Sequence, residues 1–386
     1  MSKPRVLVFI DWYSPGFKAG GPVRSVVNMV DHLRDRIDLH IVTRDTEYTE
    51  SVPYPGILAD RWTTLPGGEK VWYASRSGID RARWKTILDE GPWDSVYING
   101  MYSFWFSVMP LWLLRGTDQP RVVAVRGMLA MAMMVHGRLK KRLFLAAMKL
   151  GGCYRGVRFQ TTNGEETRDV LRWISSDTEV HEIPNLGRHA NAEGPAQRSK
   201  VPGVLRLLSV ARIAVEKNTL FAIGCLNGLV GDITFDLYGP IYDQAYWRRC
   251  QKAIEALPEN VRVRHRGTVE PESVPALFEH YHALFMPSQG ENFGHSMAEA
   301  LAAGLPLLIS DRTPWKGLIA LHAGWDLPLD DQAPFARAVE RLVHADDTIY
   351  AAWSRAAHSL GSRRSMDASI ADRYFALFTI KGTPAT

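Results

Sequence analysis

The sequence predicts an α/β protein made of two doubly wound domains in tandem. Three observations carry this. Short apolar runs of strand length alternate with segments whose apolar residues recur at the helical period. A polar stretch bearing Pro and Gly interrupts the alternation at 185–203. The same rhythm then restarts at Leu205 and ends in helices. Strand–helix alternation implies parallel sheets covered on both faces, with ligands taken at the carboxyl ends of the strands.

In the first half, strands are expected at 5–10, 39–43, 70–73, 95–98, 122–125, 158–161 and 180–183. The first helix, 23–34, places Val23, Val26, Val27, Val30 and Leu33 on one face. In the second half, strands are expected at 205–210, 234–237, 261–264, 283–286 and 305–309, and closing helices at 332–345 and 349–378. The expected division is 1–186 for the first domain, 187–203 for a linker, 204–360 for the second domain and 361–386 for a final helix.

A chain of 386 residues is long enough for two such domains. Hydrophobic content of 46% and charged content of 23% are those of a soluble globular protein. The three cysteines, Cys153, Cys225 and Cys250, are scattered and form no CxxC, which argues against a disulfide framework or a zinc site and fits a reducing compartment. The chain opens directly on an apolar strand too short for a signal-peptide core, and no run approaches the roughly 20 apolar residues of a spanning helix.

Net charge is only +5, but nine Lys/Arg and no Asp/Glu fall within 119–164. The densest part, Arg138, Lys140, Lys141 and Arg142, opens a helical segment with Leu139, Leu143, Ala146, Ala147 and Leu150 as an apolar stripe. This reads either as a solvated helix face or as a basic amphipathic helix lying on an anionic membrane. No recognisable nucleic-acid module is present.

The segment 288–311 carries the most chemistry. It reads as a loop holding Glu291, Asn292 and Phe293, a bend at Gly294, a helix from His295 that holds Glu299, a stop at Gly304 and a buried strand. A helix N-terminus favours an anion such as a diphosphate, and carboxylates accept hydrogen bonds from sugar hydroxyls. Arg212 and Lys217 follow the strand at 205–210 and supply two cations suited to a leaving diphosphate. Gly20 and Gly21 precede the first helix, Asn99 ends a strand, and Arg126 follows another.

Together these segments resemble the family 4 (group 1) retaining glycosyltransferases, with Glu291 and Glu299 as their Glu-x7-Glu pair. The resemblance implies the GT-B fold: two Rossmann-like domains facing across a cleft, the first holding the acceptor, the second the sugar nucleotide, and the last helix crossing back to the first. It implies that Arg212 and Lys217 clamp the diphosphate, that Glu299 binds the ribose and that Glu291 binds donor-sugar hydroxyls while the acceptor attacks on the leaving-group face. Gly20 and Gly21 would lie against donor phosphate and acceptor, and Asn99 would line the acceptor pocket. Asn292, Phe293 and Gly294 complete the substrate-binding set. Arg126 stands where many members carry His near the anomeric carbon. Always protonated, it cannot be a general base, and its expected catalytic role is to stabilise phosphate or developing charge. The residues alone also allow Glu291 as a covalent nucleophile.

The function expected is hexosyl transfer from a nucleotide-diphosphate sugar to a glycan or polyprenyl-diphosphate-linked acceptor in surface polysaccharide assembly. The expected setting is cytoplasmic, peripheral at the inner face of the plasma membrane. Neither cofactor nor metal is expected, the nucleotide sugar being a co-substrate. The alternatives are a non-catalytic sugar-nucleotide or polysaccharide-binding protein and a nucleotide-sugar epimerase.

Overall fold

A computed structural model describes residues 2–130, 138–189, 194–195 and 197–380. The chain divides into two compact units, residues 1–186 with 368–386, and residues 187–367.

The first unit is an eight-stranded sheet in the order β3-β4-β2-β1-β5-β6-β7-β8. Its strands are β1 (Arg5–Phe9), β2 (Asp38–Arg44), β3 (Trp62–Thr64), β4 (Lys70–Ala74), β5 (Ser95–Asn99), β6 (Arg121–Ala124), β7 (Val157–Thr161) and β8 (Val180–Glu182). All pairs are parallel except β3 with β4. Alternation along β1 sorts its residues between two cores: Leu7 and Phe9 face one, Val6 and Val8 the other. Helices α2 (Arg81–Asp89), α3 (Met109–Leu113), α4 (Arg138–Leu150) and α5 (Gly164–Trp173) belong to the first face. Helix α1 (Gly21–Leu33) covers the second through Val26, Met29, Val30 and Leu33.

The second unit is a six-stranded, all-parallel sheet in the order β11-β10-β9-β12-β13-β14. Its strands are β9 (Val204–Val210), β10 (Asp232–Tyr238), β11 (Val261–His265), β12 (Ala283–Met286), β13 (Leu307–Ser310) and β14 (Gly324–Leu327). One face carries α6 (Thr219–Gly224), α7 (Gln244–Glu255) and α10 (Ala333–His344). The other carries α8 (Val274–Phe278), α9 (His295–Ala302) and α11 (Asp347–Ser365). Helices α9 and α11 lie so close that a methyl on Gly361 would sit 2.3 Å from the Ala302 nitrogen.

The expected helix at 349–378 is two helices, α11 and α12 (Ala368–Thr379). They separate because their apolar faces belong to different cores. Ala357 of α11 packs in the second unit. Ala371, Tyr374, Leu377 and Phe378 of α12 pack against the first, where Phe378 meets Tyr97 with ring centroids 5.4 Å apart. The division therefore falls between 367 and 368, and the expected boundary at 360 lies inside α11.

The expected linker, 187–203, also needs correction, since it groups with the second unit. Its cations are buried there because helix ends leave carbonyls without donors. Arg198 donates to the Phe278 carbonyl at 3.2 Å and the Ala303 carbonyl at 2.6 Å. Lys200 donates to the carbonyls of Val201, Val343 and Ala345 at 3.0–3.2 Å, and burial lowers its pKa to about 8.

Candidate active site

Each sheet reverses its strand order once, and a doubly wound sheet takes its ligand outside the carboxyl ends at that point. In the second unit the reversal lies between β9 and β12. The loops leaving these strands carry the expected residues and are joined by two bonds. Lys217 Nζ donates to Glu291 Oε1 at 2.5 Å, with both side chains largely buried. The Gln289 N–H donates to the Glu216 carbonyl at 2.8 Å. The Ser288 hydroxyl also donates to Glu291 Oε1, at 2.9 Å.

Arg212 pairs with Glu216 at 2.8 Å, both about half exposed, so this pair adds little to stability. Gly294 caps α9 with φ 74°, ψ 68°, and a methyl there would meet Met297 Sδ at 2.8 Å. Glycine is thus required where the chain turns into the helix. Met297, Ala298, Ala300 and Leu301 bury the inner face of α9, and Glu299 stays half-buried on it. Asn292 is half-buried at the loop.

Phe293 departs from its expected role. Its ring is buried against Trp315, and its carbonyl accepts the Trp315 Nε1–H at 2.7 Å. Trp315, 1% exposed, is a core residue and no sugar platform.

In the first unit the reversal lies between β1 and β5. Gly20, at φ 78°, caps α1, and Gly21 is exposed at its start. Asn99 ends β5, and its Nδ2 donates to the Pro22 carbonyl at 3.4 Å, tying that strand to the first turn of α1.

Arg126, expected in a catalytic role, is engaged by groups of the first unit. It sits at φ 53°, and its guanidinium is held by protein groups rather than offered to a ligand. Nε donates to Asn99 Oδ1 and Nη2 to the Tyr97 hydroxyl, both at 2.7 Å; Nη1 donates to Asn185 Oδ1. The Tyr374 hydroxyl from α12 hydrogen-bonds the same group. Burial pushes the Tyr97 phenol well above its usual range, so it remains the neutral acceptor this network needs.

Sequence reasoning missed Asp11, two residues beyond β1. Its Oδ1 accepts from the Ser103 hydroxyl at 2.8 Å and from Arg44 Nη2 at 3.2 Å. Burial raises its pKa, and the Ser103 and Arg44 contacts pull against that rise. The available signal was an acid straight after the first apolar strand.

The segment 138–150 is helical as expected, but its apolar stripe faces out. Leu139, Leu143 and Leu150 are 72%, 61% and 91% exposed, while Leu145 and Met148 enter the core and Phe144 packs against it. The Arg138 side chain and residues 131–137 lie outside the described set. The neighbouring segment adds two more exposed aromatics, Phe104 and Trp112, and is joined to α4 by the Tyr102–Phe144 ring contact and by Arg115 donating to the Gly151 carbonyl.

Comparison with known proteins bears on both units. Sucrose-phosphate synthase from Thermosynechococcus elongatus shares the fold with a TM-score of 0.71 at 16% identity, over 98% of each chain. HepE of Anabaena, solved with UDP and glucose, has a TM-score of 0.70 at 15% identity over 96% of this chain and 98% of its own. WaaG, a glycosyltransferase involved in lipopolysaccharide biosynthesis, has a TM-score of 0.66 at 15% identity over 97% and 100%. The UDP-N-acetylglucosamine–peptide N-acetylglucosaminyltransferase GtfA subunit of Streptococcus agalactiae is 22% identical over 159 residues, 39% of this chain and 29% of that relative's length. The fold is that of the GT-B glycosyltransferases, two parallel-sheet α/β units. Residues 193–359 match the family described as glycosyl transferases group 1, so the second unit of this chain carries the group 1 glycosyl transferase domain.

Proposed function

We propose that this chain transfers a hexosyl group from a nucleotide-diphosphate sugar to a glycan or lipid-linked acceptor, with retention of configuration as in family 4, in surface polysaccharide assembly. The observation that carries it is the Lys217–Glu291 pair, which joins the two motif loops where the second sheet reverses. In this reading the arriving diphosphate takes up Lys217 and Arg212, and Glu291 is released to the donor sugar's hydroxyls. Glu299 takes the ribose, and the start of α9 faces the phosphates. The UDP and glucose bound by HepE, the UDP-sugar named for GtfA and the lipopolysaccharide role named for WaaG support a UDP-sugar donor and a cell-surface product.

Arg212→Ala and Glu299→Ala test the assignment. A lost charged hydrogen bond costs about 1.5–3 kcal/mol, roughly ten- to a hundredfold in kcat/KM. Thermal shift with UDP and turnover of UDP-glucose, UDP-N-acetylglucosamine and GDP-mannose should show that loss with unchanged unfolding temperature in the absence of ligand. Wild-type kinetics in both variants would remove these residues from the site.

The acceptor side of the reading places the protein on an anionic membrane through the outward face of α4. No helix among the described residues is long and apolar enough to cross a membrane. An exposed leucine stripe interleaved with Lys140, Arg142 and Lys149 suits a headgroup layer instead. Each basic residue near such a surface contributes about 1 kcal/mol. Replacing Lys140, Arg142, Leu139 and Leu143 by Gln should therefore cut co-sedimentation with phosphatidylglycerol vesicles more than tenfold, and high salt should weaken wild-type binding. Equal, salt-insensitive binding would make this face an ordinary surface.

A further inference from the structure

At one edge of the second sheet, β14, α10 and the start of α11 line a groove of about 830 Å³. Strand β14 lies two places beyond β12 in the sheet, so the groove stands apart from the motif loops at the reversal. Its volume is that of a ligand site, and none of the residues assigned to glycosyl transfer lines it. Its walls differ in chemistry. Helix α10 supplies charge through Arg337, Glu340, Arg341 and His344. Strand β14 and α11 supply apolar surface through Trp325, Ile349 and Trp353.

Arg337, Arg341 and His344 recur at helical spacing on one face of α10, and all three are exposed. Among the described residues their side chains make no ion pair and no hydrogen bond, with Glu340 or any other group. Arg337 and Arg341 stand about 6 Å apart along the helix axis. Alternate residues of an extended chain stand about 7 Å apart and point the same way, while the residues between them point the other way. On the apolar side, Trp353 is half-buried with its ring 5.1 Å from that of Trp325, and Ile349 is 47% exposed. An extended segment with acidic side chains on one edge and apolar ones on the other therefore meets both walls at once. Glu340 interrupts the row of cations and repels a uniform polyanion such as heparin.

We propose that this groove receives an extended acidic segment of a partner protein. Its carboxylates, two residues apart, pair with Arg337 and Arg341, and the apolar side chains between them pack on Trp353 and Ile349. His344 adds a hydrogen-bonding group at the end of the row. The charge complementarity is with α10 and the apolar complementarity with α11, so the partner is defined by alternation of the two. This surface is independent of the glycosyl-transfer reading and stands or falls without it.

The test titrates the full chain into a fluorescein-labelled decapeptide with Glu at alternate positions and Leu and Ser between them, read by fluorescence polarisation. The same peptide with Lys for Glu, heparin and phosphatidylglycerol vesicles are the comparisons. The Glu peptide should bind saturably and more tightly than the Lys peptide, and high salt should weaken it. Arg337→Glu with Arg341→Glu should weaken the Glu peptide about tenfold or more and reverse the preference toward the Lys peptide, with the unfolding temperature at its wild-type value because both side chains are exposed and unpaired. Trp353→Ala should weaken the Glu peptide while leaving its salt dependence in place; if that variant fails to fold, the arginine pair carries the test. Absent binding, equal affinity for the two peptides, or an unchanged preference in the arginine variant would each overturn the proposal. Heparin or vesicle binding that needs Arg337 and Arg341 would overturn it in favour of a polyanion or a membrane. Self-association in sedimentation that the arginine variant abolishes would overturn it in favour of a second copy of the chain.

Discussion

Lys217→Ala lowers kcat/KM for the nucleotide sugar by about 10²–10³-fold, the loss seen when one preorganised group facing developing charge is removed. Lys217 lies on the loop after β9, and its ammonium is fixed by Glu291 before any ligand arrives. The diphosphate gains charge as the glycosidic bond breaks, and Lys217, passed from Glu291 to the arriving diphosphate, is in place to meet that charge. The variant still folds. Ser288 continues to hold Glu291, and the cost of the lost partner is about 1–3 kcal/mol. Lys217→Gln separates the two contributions. It keeps a hydrogen-bond donor for Glu291 but no charge for the diphosphate, so it restores stability and not turnover. Turnover close to wild type in Lys217→Gln would show that the charge is not used.

Arg126→Met unfolds the first unit at much lower temperature. The substitution leaves Asn99 Oδ1, Asn185 Oδ1 and the Tyr97 hydroxyl without the donor they share, and removes the partner of Tyr374 on the returning helix. One unsatisfied buried acceptor costs about 1–3 kcal/mol, and a broken buried network about 3–5 kcal/mol. For a unit of this size that is roughly 10 °C in Tm. Arg126→Lys rescues little, because one ammonium cannot reproduce a fork that serves three acceptors. Calorimetry decides between this role and the catalytic one the sequence suggests. An unchanged Tm with a collapsed kcat would restore Arg126 to the chemistry.

The contrast between Lys217 and Arg126 shows what was legible in the sequence. Strands such as β1, β5 and β12 announce themselves because both their faces are buried, so they read as largely apolar runs. The loops after β9 and β12 were readable because their motif residues lie close together along the chain. Strands β3 and β14 were missed: the first has three residues, none of them buried, and the second interrupts its apolar run with an Asp. The break between α11 and α12 has no Pro or Gly at Met366–Asp367 to mark it, because it arises from packing against two different cores. Arg198 and Lys200 look like linker residues in sequence and become caps only when distant helices end beside them. Direction was also hidden. Sequence placed Arg126 at a strand end but not whether its side chain turned out to a ligand or in to Tyr97, and it gave α4 a stripe without saying which face would be covered.

Glycosyl transfer with retention requires the leaving charge to be met, here by Arg212, Lys217 and the start of α9. Proton NMR of the first sugar released reads the outcome. The full chain is incubated with UDP-glucose, UDP-N-acetylglucosamine or GDP-mannose in excess EDTA, and the anomer formed is read before it mutarotates. The expected result is turnover of one of these donors, a first-formed sugar with the donor's own anomeric configuration, and a rate unaffected by the chelator. The opposite anomer, activity that EDTA abolishes and magnesium restores, or a donor that binds tightly and is never cleaved would contradict it.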